Sequence, residues 1–121
     1  MLVKFNDGVE VTALVVNGQS RFFQNAQRDS LEFIFKKGDY LFDTLDTYFA
    51  NKNKTRKITL IDEAQNQFIY DDYVLRVSMS LNPVVISPES STDPEVTEER
   101  ISVIMARQTY MEKMIEQLLE A

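Results

Sequence analysis

The residues of this chain that could do chemistry are mainly carboxylates, because its 121 residues include no Cys and no His. That composition excludes thiol nucleophiles, disulfides, zinc sites built on thiolates or imidazoles, and the commonest general base of enzymes. Catalysis would have to depend on Asp, Glu, Lys, Tyr, Ser or Thr. A bound metal would need oxygen ligands.

Two groups of carboxylates could supply such chemistry. Asp39, Asp43 and Asp46 surround the start of a predicted helix, where their oxygens could bind Mg²⁺ or Ca²⁺. The second group, which could in principle form a glycosidase pair, lies in predicted turns: Asp62, Glu63, Asp71 and Asp72. Helix capping, solvent exposure and turn formation explain both groups better.

The sequence contains no glycine-rich phosphate loop, no Ser-based nucleophile motif and no nucleotide fingerprint. We therefore predict no catalytic, cofactor-binding or metal-binding residues. We predict that the protein is not an enzyme and has no small-molecule substrate.

A small basic cluster is the other candidate binding feature, and it consists of Lys52, Lys54, Arg56 and Lys57. It could contact nucleic acid or an acidic protein surface. The net charge of −6 disfavours a phosphate backbone, so we predict no nucleic-acid partner. Two interpretations of this cluster stay open, a solvated loop and a contact with an acidic protein surface.

Residues 1–88 are predicted to form a strand-rich, mostly antiparallel globular body. Asp7-Gly8 and Asn17-Gly18 each separate β-prone runs and favour the positive φ angles of tight hairpin turns. Three strands in a meander are therefore expected first. Alternating apolar residues predict further strands near 31–35 and 73–81, and Pro83 should end the second of these.

One short helix is predicted within the body. Leu41, Leu45, Tyr48 and Phe49 recur at three- and four-residue spacing, as on the apolar side of a helix of about two to three turns. The predicted fold class is therefore α+β, a strand-rich body with one short helix followed by a C-terminal amphipathic helix.

The C-terminal quarter differs from the body in charge and pattern. Residues 1–88 contain 10 Lys or Arg and 11 Asp or Glu, whereas residues 89–121 contain 3 and 8. Residues 89–96 have the composition of a linker, and residues 97–121 are predicted to form an amphipathic helix that could enter a coiled coil. The predicted interaction residues occupy its heptad a and d positions: Ile101, Ile104, Gln108, Met111, Ile115 and Leu118.

A second interpretation of this quarter stays open, because Ile101–Met105 also has the composition of a strand. In that case a strand from about Arg100 to Arg107 would complete the sheet, and the helix would begin at Gln108. Either way the apolar side chains must be buried, since each is worth roughly 1.5–3 kcal/mol. They could pack on the chain's own sheet, in a homo-oligomer, or in a groove of another protein.

No apolar run approaches the ~20 residues of a membrane span. Charge and a turn also follow Met1–Lys4 before a signal-peptide core could form. These features predict a soluble protein made in the cytosol, with no membrane partner.

The chain also contains an ordered set of short motifs, namely Lys4–Gly8, Asp29–Phe33 with Phe35, Phe42-Asp43 with Leu45-Asp46 and Phe49, Lys57–Thr59, Tyr70 with Tyr73-Val74, Pro83–Ile86 and Pro94–Glu98. This set resembles small proteins encoded among the tail and baseplate genes of tailed phages and prophages of Gram-positive bacteria. The resemblance spans nearly the whole chain.

The resemblance implies a structural or assembly role in the tail–baseplate region, without catalysis. It also implies protein–protein contacts within a homo-oligomer or with other tail proteins, in the host cytoplasm during assembly or in the virion. An alternative is a small adaptor or regulatory module that binds a host or phage protein through its C-terminal helix.

Overall fold

The structure is a computed structural model that describes residues 1–120, and its elements in chain order are β1 (Leu2–Lys4), β2 (Glu10–Thr12), β3 (Val15–Phe23), β4 (Ala26–Lys36), α1 (Phe42–Ala50), α2 (Lys52–Thr55), β5 (Lys57–Ile61), β6 (Gln67–Asp71), β7 (Leu75–Ser87), β8 (Val96–Ala106) and α3 (Tyr110–Glu120). The strands form two four-stranded sheets, in the orders β2-β1-β5-β6 and β3-β4-β8-β7. The pairings described are antiparallel. The predicted α+β class is confirmed.

The core lies where the inward faces of both sheets meet α1. The predicted alternation in β4 is confirmed, because Leu31, Phe33 and Phe35 are all buried. Phe49 on α1 packs against Phe5, which follows β1, and Phe33 of β4, with ring-centroid distances of 5.3 Å and 5.1 Å. The short helix predicted around Phe49 is confirmed as α1, but the body also contains a second short helix, α2, which was not predicted.

One of the two predicted hairpin turns is wrong. Asp7-Gly8 does connect β1 to β2, and Gly8 adopts a φ of +89°. Gly18, in contrast, lies inside β3 and pairs with Leu31, because the β3–β4 ladder continues without a break. The chain turns instead at Gln24 and Asn25, whose positive φ angles suit a two-residue hairpin loop.

The predicted end of β7 at Pro83 is also wrong. The strand continues to Ser87, and Pro83 pairs with Glu99 of β8. A proline is tolerated there because β7 is an edge strand, where one side of the backbone has no neighbouring strand to bond.

The helix predicted for residues 97–121 is wrong over its first half. Residues 96–106 form β8, and only Tyr110–Glu120 is helical, with Ala121 outside the described residues. The strand interpretation is the one observed, because β8 lies between β4 and β7 and buries Ile101, Val103 and Met105 on one face. In this segment every second side chain is buried, as in a central strand, and the helical spacing of apolar residues does not form a helix.

The far ends of β7 and β8 extend beyond the core as a hairpin, which we call the arm (residues 81–99). Its side chains are almost all exposed, including Val84, Val85 and Ile86. The predicted linker lies in the loop at its tip. Among residues 1–120, none of the helices is long and apolar enough to cross a membrane.

Candidate interaction site on the C-terminal helix

The start of α3 is fixed by a reciprocal cap between Thr109 and Glu112. The Glu112 N–H donates to Thr109 Oγ1 at 3.2 Å, and the Thr109 N–H donates to Glu112 Oε1 at 2.8 Å. This capping box satisfies two backbone donors that the first turn of a helix would leave without partners. The helix therefore begins where β8 has just ended.

The same Glu112 binds Arg28, a residue of β4 that is 97% buried. The guanidinium donates to both carboxylate oxygens, at 2.8 Å from Nη2 to Oε2. Its other donors reach the backbone carbonyls of Phe23, Gln24 and Arg107, so every guanidinium N–H has an acceptor. Hydrogen bonding from Arg28 lowers the pKa of Glu112 to about 2.

One turn further along α3, Glu116 binds a second arginine. Arg56, which follows α2, donates from Nη2 to Glu116 Oε1 at 2.9 Å and from Nη1 to Gln108 Oε1 at 2.9 Å. Gln108 in turn donates to Glu116. The hydrogen bond from Gln108, together with the charge of Arg56, lowers the pKa of Glu116. Glu112 and Glu116 are four residues apart, so both anions project from one side of the helix.

Asp72 completes the set of polar side chains that holds α3 on the body. We call this set the seat, and it consists of Arg28, Arg56, Asp72 and Gln108. It is buried, adopts a φ of +67°, and accepts from Arg56 at 3.3 Å and from Lys113 Nζ at 3.1 Å. Its carbonyl also accepts from the Gln108 N–H at 2.8 Å. The seat therefore binds α3 through two anions and one cation of the helix.

With its charged side bound to the body, α3 turns its apolar side to solvent. We call this side the outward face. Its six large side chains expose between 37% and 82% of their surface, and they are Tyr110, Met111, Met114, Ile115, Leu118 and Leu119. Exposed apolar surface of this kind is typical of sites that contact another molecule.

The structure divides the six predicted interaction residues among three environments. Ile101 lies in the core, and Ile104 is half-buried on the other face of β8. Gln108 is buried in the seat, where it hydrogen-bonds within the chain. Only Met111, Ile115 and Leu118 share the outward face.

The other groups singled out in the sequence take part in local contacts. Asp46 pairs with Arg76, and Lys54 pairs with Asp7. Within residues 1–120, no group of three or more acidic side chains could hold a metal ion. A cleft of about 820 Å³ lies beside α3, and its lining includes Lys57, Asp71 and Arg107.

The sequence interpretation missed Arg28, Thr109, Glu112 and Glu116 as the residues that orient α3. One signal for them was present. Thr109-Tyr110-Met111-Glu112 has the capping-box spacing just before an apolar stripe, which marks a helix start at this point. No pattern in the sequence points to Arg28 as the partner.

Comparisons of the chain with protein-family models, with curated proteins and with solved structures find no match.

Proposed function

We propose that this chain is a non-enzymatic structural or assembly protein of a phage or prophage tail–baseplate region, acting through protein–protein contacts. The proposal rests on one observation, the orientation of α3 with its charged side on the body and its apolar face in solvent. An outward apolar face held in place by ion pairs is suited to binding another chain.

The ion pairs make this orientation specific. Turning the apolar side of α3 inward would remove Glu112 from Arg28 and leave a buried guanidinium without its anion. Breaking this ion pair should cost about 2–3 kcal/mol, less than for a fully buried pair because 37% of the Glu112 side chain is exposed. The ion pairs therefore favour the observed orientation of α3, in which the outward face is open to another chain.

The composition supports an assembly role rather than catalysis. Without Cys or His, the chain has no thiol nucleophile and lacks the commonest general base of enzymes. The tail–baseplate setting rests on the ordered motifs, from Lys4–Gly8 at the N-terminus to Pro94–Glu98 before β8.

Genetic complementation tests the proposal. We expect that a phage lacking this gene fails to complete its tails, that the wild-type chain restores them, and that Ile115→Asp does not. Ile69→Asp is the matched control, because Ile69 on β6 is 57% exposed and Ile115 is 54% exposed. Normal tails without the gene, or equal rescue by Ile115→Asp, would contradict the proposal.

A further inference from the structure

The apolar positions of the outward face are symmetric along the helix. Residues 110, 111, 114, 115, 118 and 119 lie at equal distances on either side of the point between Met114 and Ile115. A two-fold axis through that point would place two copies of α3 antiparallel. Met111 of each copy would then face Leu118 of the other, and Met114 would lie beside its own counterpart.

We infer that the partner of the outward face is a second copy of this chain, bound through an antiparallel, two-fold-symmetric contact between the α3 helices. This inference rests on the proposed function and names the partner that the contact surface takes. Such an isologous contact closes on itself and gives a dimer.

Charge permits this contact. The outward face itself carries no ionisable group apart from the hydroxyl of Tyr110. Three of the charges on α3 are paired with the body, since Arg28 binds Glu112, Asp72 binds Lys113 and Arg56 binds Glu116. These pairs reduce the repulsion between like charges where two α3 helices meet, and antiparallel helices also oppose their dipoles favourably.

The area is also sufficient. Six large side chains are at least 37% exposed. Each side chain exposes on the order of 100 Å², so the face presents several hundred Å² of surface per copy. This approaches the ~800 Å² per partner of a stable interface. Contacts beside the helices, such as Gln117, would add to this area.

The arm does not offer an equivalent self-contact. Its residues 81–99 contain five carboxylates, Glu89, Asp93, Glu95, Glu98 and Glu99, and no Lys or Arg. Glu98 and Glu99 pair with Lys36 and Lys37, but Glu89, Asp93 and Glu95 would bring like charges together if two arms lay side by side. Compared with the arm, α3 is therefore better suited to an identical partner.

Cysteine cross-linking tests the geometry directly, because the natural chain has no Cys. With oxidised glutathione as the oxidant, we expect Met114→Cys to form a covalent dimer. When each is oxidised by itself, Met111→Cys and Leu118→Cys should run as monomers in denaturing gels. When the two variants are mixed, they should form a disulfide-linked dimer, because only facing residues come within disulfide reach. Ile69→Cys is the control for random collisions.

Sedimentation of the unmodified chain provides the second measurement. We expect a dimer mass for the wild type and for Ile69→Asp, and a monomer mass for Ile115→Asp. A monomeric wild type, or self-cross-linking of Met111→Cys as efficient as that of Met114→Cys, would overturn the antiparallel dimer. Neither result would touch the complementation outcome, so failure of this inference is distinguishable from failure of the proposed function.

Discussion

Arg28 and Glu112 lie 84 positions apart in the chain, yet the buried guanidinium of the first binds both carboxylate oxygens of the second. This pair connects β4, in the middle of a sheet, to the first turn of α3. Because Glu112 also caps the helix, one side chain sets where α3 begins and which side of it faces the body.

Replacing Glu112 should therefore destabilise the protein in two separable ways. We expect Glu112→Ala to lower the free energy of unfolding by about 2–3 kcal/mol, less than for a fully buried pair because 37% of the Glu112 side chain is exposed. Glu112→Gln should cost about 1 kcal/mol less, since Gln can still complete the cap. Urea denaturation measures both.

The control for these variants is Glu99→Ala, which removes an exposed ion pair with Lys37. It should leave the free energy of unfolding nearly unchanged. If Glu99→Ala and Glu112→Ala cost the same, the buried Arg28 would not be what makes Glu112 important.

Acid should weaken the attachment of α3. The pKa of Glu112 is about 2 in the folded chain and near its ordinary value of 4.5 when unfolded. A carboxyl group whose pKa is lower in the folded state stabilises the fold at pH values above its unfolded-state pKa. That stabilisation is lost as the pH falls through its folded-state pKa. The difference in unfolding free energy between wild type and Glu112→Gln should thus be largest above about pH 5 and shrink toward about pH 2. A constant difference across this range would contradict the assigned role of the charge.

Much of the body could be predicted from the sequence, because its signals are local. The alternation of Leu31, Phe33 and Phe35 and the helical spacing of Leu45 and Phe49 each report burial on one side of one element. The Asp7-Gly8 turn is likewise a property of adjacent residues, since Gly8 must adopt a positive φ.

The C-terminal quarter could not be predicted with the same certainty, because its structure depends on distant partners. The sequence of Ile101–Met105 is compatible with both a helix and a strand. It forms a strand because it pairs with β4 on one side and β7 on the other. The orientation of α3 depends on Arg28, which no local pattern connects to Glu112. An apolar stripe indicates that a helix is amphipathic, but not which side faces the body.

The two glycines that were expected in turns should now respond differently to substitution. Gly8→Ala should destabilise the chain by about 1–2 kcal/mol, because a side chain is strained at a φ of +89°. Gly18→Ala should be neutral or stabilising by up to about 1 kcal/mol, because its Cβ would meet Leu31 Cδ2 at an ordinary 3.9 Å within a strand. Equal losses in denaturation experiments would place a turn at Gly18 and contradict the β3–β4 ladder.

Methionine oxidation measures whether the apolar side of α3 faces away from the body. Met111 is 67% exposed on the outward face, whereas Met105 is fully buried in the core. In dilute protein treated with hydrogen peroxide, mass spectrometry of the peptides should show Met111 oxidised much faster than Met105. The rate at Met111 should fall as the protein concentration rises and a second copy covers it. Oxidation of Met111 as slow as that of Met105 even in the monomeric Ile115→Asp variant would show that the apolar side packs inward, and would contradict the outward orientation.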